Sequence, residues 1–320
     1  MRVLILAYHR IYPGYHIDPG TFEYQIRVLK KHFVPLTLDE VAAFIRGDFN
    51  LKKNGFAITF DDGWADNFVY AYPILKKHEV PATLFIPTSF ISNENSTRPT
   101  LEDYWNNKIS YKKLFRGRSS DEAAAKIARG EHTEEFLTWD EINHMKPLVQ
   151  IESHAHSHAY HFRSPKIIAT CGEILKERQN WLLLSGIKLE PGMPMYESGS
   201  VLMYPRYYEN ENRFEDFDNY KKRIKAEFKT SIAMITKKTG RRPKHLAWPF
   251  GEYNKTVIEV AKESGLETCL TTRIGAVKQG DNPYELKRFS PPRNRRLFSI
   301  ALKGGAGIVL YRLAVQLKAL

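Results

Sequence analysis

The chain has 320 residues, of which 42% are hydrophobic, and a formal net charge of +12 at pH 7. This length and apolar content are sufficient for a domain with a substantial core. The basic balance favours acidic partners such as nucleic acid, anionic lipid or phosphorylated carbohydrate, or it is simply a solvated surface. We expect no nucleic acid as a partner, because no binding motif accompanies the charge. The two cysteines, Cys171 and Cys269, exclude a disulfide framework.

An apolar run at the start of the chain, Val3–Tyr8, is the first predicted element. It is too short for the apolar region of a signal peptide and lacks a small-residue cleavage site, so we interpret it as a buried strand. No window approaches about 18 uninterrupted apolar residues, so we expect no membrane-spanning helix. These features predict a cytoplasmic location, with peripheral attachment to the cytoplasmic membrane face as an alternative.

Short apolar runs then alternate with amphipathic helical patterns. The runs are apolar nearly throughout, which is typical of parallel strands buried on both faces. The helical patterns include an apolar stripe from Phe22 to Phe33, capping-box sequences that begin at Thr37 and Thr138, and a helix over 254–264. This alternation predicts an α/β barrel or an open doubly wound sheet. The seven predicted strands are 3–9, 56–60, 82–87, 148–153, 245–250, 268–272 and 285–289.

Two stretches interrupt the alternation. Residues 92–136 are polar and charged, and residues 186–220 are rich in Gly, Pro, Tyr and Asn. We interpret both as loop insertions within a single barrel domain over 1–292. The tail that follows, 293–320, combines six basic residues with a broad apolar stripe. Such a segment either lies on an anionic membrane surface or docks on the barrel as a terminal helix.

Two adjacent carboxylates, Asp61 and Asp62, end the apolar strand in AITFDDGW and directly precede Gly63. Side chains alternate along a strand, so neighbouring aspartates would normally face opposite ways. A glycine turn lets both reach one pocket at the carboxyl end of the strand, where barrel active sites lie. Because the two charges repel each other, we predict a metal on one and a base role for the other. The alternative is an Asp-Gly turn with a capping aspartate.

Four of the eleven histidines cluster in the run IESHAHSHAYH. His154 and His158 are four positions apart, so in a helical turn they would share one face and bind one ion, with the spacing of zinc ligand pairs. His156 would face away in that turn, and His161 would be a neighbour of the site or a packing residue. With Asp62, the pair forms a set of three protein ligands that leaves positions open, as a catalytic metal site requires.

These residues and their flanks resemble carbohydrate esterase family 4, the polysaccharide deacetylases with a NodB-homology domain. AITFDDGWADNFVYAYPILKKHEVPATLFIPTSFI (57–91) resembles the first block of the family, and LTWDEINHM…VQIESHAHSH the second. HLAWPFGEYN (245–254) resembles the third block, whose Pro-aromatic-Gly turn lines the substrate groove. HIDPGTFEYQIRVLKKHF (16–33) resembles the N-terminal part of one branch. The resemblance does not include the two insertions.

The resemblance implies an irregular (β/α)7 barrel of the NodB-homology kind and a metal-dependent N-deacetylase. It implies Asp61 as general base, with Asp62, His154 and His158 on the metal. We expect one divalent ion, with Zn2+ favoured over Co2+, Ni2+ and Fe2+, since a His/Asp site accepts all four. The substrate-binding residues that we assign are Trp64, Pro249, Phe250 and Gly251.

The chain departs from the family pattern at two places. Many members have an arginine at the position of Ala247, where it orients the catalytic aspartate. We expect Arg288 to take this role; the alternative is a surface arginine paired with Glu285. Members commonly end with a Leu-x-His block that provides the general acid, and no such block follows residue 290. Instead LAYH ends the first strand, as in the rearranged branch of exopolysaccharide deacetylases that is similar to the poly-N-acetylglucosamine enzymes. This resemblance implies His9 as general acid; the alternative is a strand-end histidine bonded to a backbone carbonyl.

We therefore predict the removal of N-acetyl groups from a polysaccharide or a lipid-linked glycan, with release of acetate. Asp61 would take a proton from the attacking water and His9 would give one to the leaving amine, while the metal polarises the acetamide carbonyl. One alternative is an esterase or amidase of the same fold that acts on O-acetyl or other non-peptide C–N bonds. Another is an inactive carbohydrate-binding relative. The aromatic residues of the second insertion either stack on sugar rings or pack the insertion onto the barrel.

Overall fold

Seven parallel strands form a nearly closed barrel in the computed structural model, which describes residues 1–117, 120–131, 133–172 and 176–302. The strands in chain order are β1 (Val3–Tyr8), β2 (Val34–Pro35), β3 (Gly55–Phe60), β4 (Ala82–Ile86), β5 (Val149–Ser153), β6 (Tyr160–Thr170), β7 (Pro194–Ser200), β8 (Tyr207–Tyr208), β9 (Arg213–Phe214), β10 (His245–Ala247), β11 (Thr268–Ile274) and β12 (Leu286–Arg288). The barrel order is β1-β3-β4-β5-β10-β11-β12, and β2 pairs with β3 at one edge. All seven strands predicted from the sequence are present in this barrel, which confirms the predicted fold class.

Backbone hydrogen bonds between the first and last strands close the sheet. The amide of Ala7 donates to the carbonyl of Phe289 at 3.0 Å, and the amide of Phe289 donates to the carbonyl of Ile5 at 2.8 Å. The open doubly wound alternative is therefore wrong. Closure places the first and last strands of the chain side by side, and with them the residues at their carboxyl ends.

Helices cover the outside of the barrel. The predicted capping box at Thr37 is confirmed: its hydroxyl accepts from the amide of Glu40 at 3.2 Å, and the Glu40 carboxylate accepts from the amide of Thr37 at 2.7 Å. The box at Thr138 is confirmed in the same way. The helices are α1 (Pro19–His32), α2 (Leu38–Arg46), α3 (Tyr72–His78), α4 (Leu101–Trp105), α5 (Ser120–Ala128), α6 (Trp139–Met145), α7 (Lys176–Leu183), α8 (Phe217–Thr239), α9 (Lys255–Glu263) and α10 (Arg295–Leu302), and shorter helical turns are Asn67–Ala71, Tyr111–Lys113, Pro249–Gly251 and Pro283–Glu285.

Alternation along the strands divides the core into two layers and decides which side chains reach the barrel mouth. In β3, Ile58 and Phe60 pack outward in the cluster that includes the buried face of α1. Ala57 belongs to the inner cluster with residues of β1, β10 and β11. Since side chains alternate, Thr59 and Asp61 continue the inward row that Ala57 begins. In β12, Leu286 belongs to the inner cluster, and Arg288, two positions later on the same face of the strand, therefore also points inward.

A second structural unit projects from the barrel between β5 and α8. β6 and β7 form an antiparallel hairpin, and β8 and β9 form a second small one. The predicted insertion 186–220 contains β7, β8 and β9, whereas their partner β6 precedes it. The predicted insertion 92–136 contains α4 and α5.

The first part of the predicted tail docks on the barrel. Phe298 and Leu302 of α10 are buried, and the guanidinium of Arg295 lies 4.6 Å from the ring centroid of Tyr24 on α1. The remainder of the tail, 303–320, lies outside the described residues, so the membrane-surface alternative is not tested. Within the described ranges, no helix is both long and apolar enough to span a membrane.

Candidate active site

The carboxylate of Asp61 lies at the mouth of the barrel in a fixed ion pair with Arg288. Asp61 is only 2% exposed, and its two oxygens accept from the two terminal nitrogens of Arg288 at 2.8 Å each. Burial raises the pKa of Asp61, but the charges of Arg288 and His154 outweigh burial, so the pKa is lower than usual. Asp61 is therefore an ionised carboxylate, the state that can accept a proton.

Arg288 is the residue that the sequence indicated for this position, and the structure brings it to Asp61. It is 3% exposed, and its Nε donates to the carbonyl of Thr271 at 2.9 Å. The alternative, a surface arginine paired with Glu285, is not what the structure shows: the Glu285 carboxylate pairs instead with Arg273 at 3.2 Å. Ala247, where many relatives of the resembled family have arginine, is buried in β10.

Asp62 faces the histidines because the chain turns sharply after Asp61. Both Asp62 and Gly63 have left-handed backbones, with φ of 72° and 74°. For the non-glycine residue this conformation costs about 1–2 kcal/mol. A Cβ at Gly63 would lie 2.9 Å from the Cδ1 of Ile91, so a larger residue would also force the Ile91 side chain to shift. The turn lets two adjacent carboxylates share one side of the barrel mouth.

The two oxygens of Asp62 have different neighbours. Oδ2 accepts from the indole nitrogen of Trp64 at 3.1 Å, whereas Oδ1 lies 3.4 Å from His154 Nε2 and 3.5 Å from His158 Nε2. Burial raises the pKa of Asp62, but the adjacent imidazoles of His154, His9 and His158 lower it well below its usual range. One oxygen of an ionised carboxylate is thus directed at both imidazoles.

The imidazoles are oriented by different means. His154 follows β5, and its Nδ1–H donates to the carbonyl of Ala247 at 2.8 Å, which leaves the lone pair on Nε2. The ring of His158 packs among aromatic rings, with the centroids of Phe250 at 4.2 Å, Trp181 at 5.0 Å and Phe90 at 5.9 Å. Burial lowers the pKa of His158 to about 3. Both rings are therefore suited to ligate through a neutral Nε2.

Asp62, His154 and His158 fit a single divalent ion. Their candidate donor atoms all lie within 4.8 Å of one another. Two donors at about 2.1 Å from one tetrahedral ion would be about 3.4 Å apart. The distances from Asp62 Oδ1 to the two imidazoles, 3.4 and 3.5 Å, match this value. The set has the two imidazole nitrogens and one carboxylate oxygen typical of catalytic zinc sites.

The expectation of a helical turn between the histidines is wrong. Residues 154–159 form a loop without helical turns, in which Ala155 and His158 have left-handed φ values of 61° and 48°. The loop conformation, not a helix face, brings the two imidazoles together. As expected, His156 faces elsewhere, with its Nδ1 2.8 Å from the hydroxyl of Thr88. His161 is buried in β6, where burial and the charges of Arg223 and Arg206 lower its pKa, and it is not part of the donor group.

His9 lies at the mouth of the barrel, directly after β1. Its side chain is exposed, and its charge contributes to lowering the pKa of both Asp61 and Asp62. Within the described part of the chain its ring has no hydrogen-bond partner. Among the described residues, the His9 ring therefore makes no hydrogen bond to a backbone carbonyl, contrary to the alternative of a strand-end histidine held in that way. The ring remains available to a molecule bound at the mouth.

The predicted Pro-aromatic-Gly turn follows β10 and borders the donor group. Phe250 has a φ of 59°, and its ring lies 4.1 Å from the ring of Tyr160, on the projecting hairpin. Gly251 has a φ of 69°, and a Cβ there would lie 2.3 Å from the hydroxyl of Thr272. Pro249 is buried, whereas Phe250 and Gly251 are partly exposed beside His158.

Trp64 lies behind Asp62. The indole is 3% exposed, stacks on Phe136 with centroids 4.4 Å apart and donates to Asp62. In this position it contacts a candidate metal ligand rather than the open mouth. The prediction that Trp64 binds substrate rests on the family resemblance, whereas the contact in the structure is with Asp62.

A buried ion triad next to His9 was missed from the sequence. Arg10 donates to Asp66 at 2.8 Å and to Glu135 at 3.0 Å, and its guanidinium lies 4.3 Å from the ring centroid of Trp64. Arg10 directly follows His9 and Asp66 lies just after the DDGW motif, so the sequence shows that both are close to recognised motifs. Glu135 lies in the first predicted insertion, and nothing in the sequence pattern indicated that it would pair with them. Trp181 was missed for the same reason, because α7 showed no motif.

Comparisons with known proteins agree with this geometry. The family described as Polysaccharide deacetylase matches residues 49–269. Among solved structures, a de-N-acetylase from Aggregatibacter actinomycetemcomitans is 21% identical, with 97% of this chain and 100% of that chain covered and a TM-score of 0.63. The BpsB deacetylase domain from Bordetella bronchiseptica is 21% identical, with 90% and 94% covered and a TM-score of 0.61. IcaB from Ammonifex degensii is 17% identical, with 93% and 94% covered and a TM-score of 0.61.

At these identities the structural similarity establishes the fold. No curated protein sequence matches the chain. The family match, in contrast, spans more than half of the chain and includes both the paired aspartates and the histidine cluster. The protein belongs to the polysaccharide deacetylase family.

Proposed function

We propose that the protein is a metal-dependent N-deacetylase that removes acetyl groups from an N-acetylated carbohydrate. The observation that supports this most directly is the position of Asp61, a buried carboxylate held by Arg288, next to the three donors of Asp62, His154 and His158. A base candidate and a metal candidate thus share one barrel mouth. A general base together with a Lewis-acidic metal can catalyse the hydrolysis of an unactivated amide.

The three donors would hold one divalent ion, with Zn2+ favoured and Co2+, Ni2+ or Fe2+ as alternatives. When bound, the ion supplies Lewis-acid chemistry, which polarises the acyl oxygen and favours ionisation of water. Asp62 contributes one oxygen, because the other is held by Trp64. His154 contributes Nε2, because its Nδ1–H is committed to Ala247.

Asp61 is the proposed general base. Arg288 occupies one site on each oxygen, and each oxygen keeps a further lone pair for a water molecule. The bidentate pair fixes the plane of the carboxylate, so the accepting lone pair has a defined direction. Asp61 would take the proton of the attacking water as the C–O bond forms.

His9 is the proposed general acid. It is exposed at the mouth and lies close enough to Asp61 and Asp62 for its charge to affect both. A protonated imidazole there would donate to the amine as the C–N bond breaks. The products would be acetate and a free amino sugar.

Phe250 is the aromatic residue that we propose for contact with the sugar. Its ring is partly exposed beside His158, and the buried Tyr160 packs against it. Aromatic faces suit the apolar faces of sugar rings. The name of one structural neighbour, a de-N-acetylase, supports an N-acetyl rather than an O-acetyl substrate. The proposal includes both polysaccharides and lipid-linked glycans as substrates.

The test measures acetate release by purified protein from N-acetylhexosamine substrates, both polymeric and lipid-linked, with an O-acetylated sugar as comparator. We expect release from an N-acetyl substrate by the wild type and a loss of at least about 100-fold in Asp61→Asn. Wild-type protein with bound zinc that releases no acetate from any of these substrates would refute the proposal. Release from the O-acetylated sugar alone would favour the esterase alternative.

A further inference from the structure

Glu227, a residue of α8 outside every recognised motif, contacts the loop between the two candidate histidine ligands. Its Oε2 accepts from the backbone amide of His156 at 3.0 Å and from that of Ser157 at 2.9 Å. These amides lie midway between His154 and His158. Glu227 does not belong to the donor group, and its hydrogen bonds toward the site are those to the two loop amides.

The loop needs an external restraint because its backbone is unfavourable. Ala155 and His158 both have left-handed φ values, 61° and 48°, in which their Cβ atoms crowd the backbone. No helical turn stabilises residues 154–159 from within. A segment of this kind keeps its conformation only when the surrounding structure determines it.

The amide of Val201 donates to the carbonyl of Ala159 at 3.1 Å, and the middle of the loop is held by the segment after β4 and by α8. After β4, the amide of Ser89 donates to the carbonyl of His156 at 3.1 Å, and the Ser89 hydroxyl donates to the same carbonyl at 2.8 Å. These bonds hold a loop carbonyl. Glu227 reaches the loop from α8, and its Oε2 alone accepts from both loop amides.

The two histidines depend on the loop to different degrees. His154 follows directly from β5, and its Nδ1 is anchored on the Ala247 carbonyl. The Nδ1 of His158 has no hydrogen-bond partner on another residue within the described ranges. The direction of the His158 ring is therefore set by aromatic packing and by the loop backbone that Glu227 restrains.

We propose that Glu227 is a positioning residue for the candidate metal site: through two loop amides it keeps His158 Nε2 beside Asp62 Oδ1. This inference rests on the metal site of the proposed function. It predicts that the reach of the side chain at position 227 matters more than its charge. A glutamine can place an amide oxygen where Oε2 lies, whereas an aspartate is one methylene too short.

The test compares zinc affinity, measured by competition with a chromophoric chelator, in wild-type protein and in Glu227→Gln, Glu227→Asp and Glu227→Ala. Glu259→Ala, an exposed glutamate of α9, is the matched control. We expect Glu227→Ala and Glu227→Asp to bind zinc about 10- to 100-fold more weakly, the range typical of groups that orient metal ligands. Glu227→Gln should lose less than about 10-fold, and the control should match the wild type. The melting temperature of each metal-free variant shows whether it is folded.

Two results would overturn the inference. If Glu227→Asp binds like the wild type while Glu227→Gln is as weak as Glu227→Ala, the carboxylate acts through its charge and not through the loop. If all three variants bind zinc like the wild type, the loop does not need Glu227. Should Glu227→Ala fail to fold, the zinc affinities of Glu227→Gln and Glu227→Asp, compared with each other, still test the inference. A wild type that binds no zinc would refute the metal site and this inference together, whereas variants equal to a zinc-binding wild type would refute only the inference.

Discussion

Both terminal nitrogens of Arg288 donate to the carboxylate of Asp61 at 2.8 Å, although 227 positions separate the two residues. The pair is almost completely buried and links the last strand of the barrel to the third. Arg288 thereby holds the candidate base from a strand other than β10, where Ala247 leaves no side chain for this purpose.

Replacing Arg288 should lower activity even when the charge is kept. Lysine preserves the cation but cannot donate in a bidentate fashion, so Arg288→Lys should reduce kcat/KM about 100-fold, as expected when a reacting group is misplaced by about 1 Å. Arg288→Ala should also destabilise the fold by about 3–5 kcal/mol, because it leaves a buried carboxylate unpaired. Acetate-release kinetics and urea unfolding measure the two effects.

The control for this pair is Arg273→Ala, since Arg273 is exposed and pairs with Glu285. It should leave kcat/KM and stability nearly unchanged, because exposed ion pairs contribute about 0–1 kcal/mol. Wild-type kinetics in Arg288→Lys would show that Asp61 does not need a bidentate partner.

Metal binding should separate the histidines of the cluster. His154→Ala and His158→Ala each remove a donor, so both should lose bound zinc in elemental analysis of the purified protein. His156→Ala should retain it, because the His156 ring contacts Thr88 and not the donor group. Loss of bound zinc in His156→Ala but not in His158→Ala would contradict the proposed ligand set.

Trp64→Phe should weaken metal binding while it keeps an aromatic ring at this core position. Phenylalanine preserves an aromatic ring against Phe136 and Arg10 but removes the donor to Asp62 Oδ2. Loss of a group that orients a metal ligand typically costs 10- to 100-fold in affinity, so we expect an effect of about that size in a zinc titration. The exposed Trp105 provides the control in Trp105→Phe, and equal affinities in the two variants would contradict the prediction.

Acid should weaken the fold partly through Asp39 at the other end of the barrel. A hydrogen bond from the buried His245, at 3.0 Å, lowers the pKa of Asp39 below its ordinary value of 3.8, and the nearby charge of Arg241 contributes to this lowering. A carboxyl whose pKa is lower in the folded than in the unfolded state stabilises the fold above the unfolded pKa. This contribution is lost as the pH falls through the folded pKa.

The free energy of unfolding of the wild type should therefore fall more steeply than that of Asp39→Asn from about pH 5 downward. At neutral pH the variant should be the less stable of the two. Urea unfolding at a series of pH values measures both curves, and parallel curves would show that Asp39 has no linked role.

The sequence was sufficient for those parts of the fold that depend on local pattern. Continuous apolar runs predicted the strands, since a strand between an inner and an outer core layer must be apolar on both faces. Thr37 and Thr138 predicted helix starts because the capping box is satisfied within one turn. The family blocks marked Asp61, Asp62, His154 and His158, which the fold brings to one mouth.

The contacts that the sequence did not reveal depend on distant segments or on unusual backbone. The helical-turn expectation failed because Ala155 and His158 adopt left-handed conformations that nothing in a run without glycine indicates. Trp181, Glu135 and Glu227 belong to segments without a recognisable motif, and only the packed structure relates them to the site. Arg288 could be suggested from the family pattern, but its bond to Asp61 follows from barrel closure.

Barrel closure by the first and last strands also has a consequence for synthesis. A ribosome adds about 5–20 residues per second, so Arg288 is polymerised roughly 11–45 s after Asp61, from which 227 positions separate it. Until then Asp61 has no arginine partner. The sheet also has two unpaired edges, on β1 and β11, because β12 has not yet been synthesised. A message truncated before the codons of β12 would therefore yield a product with every candidate metal ligand, but with neither a closed barrel nor an Asp61 carboxylate oriented by Arg288.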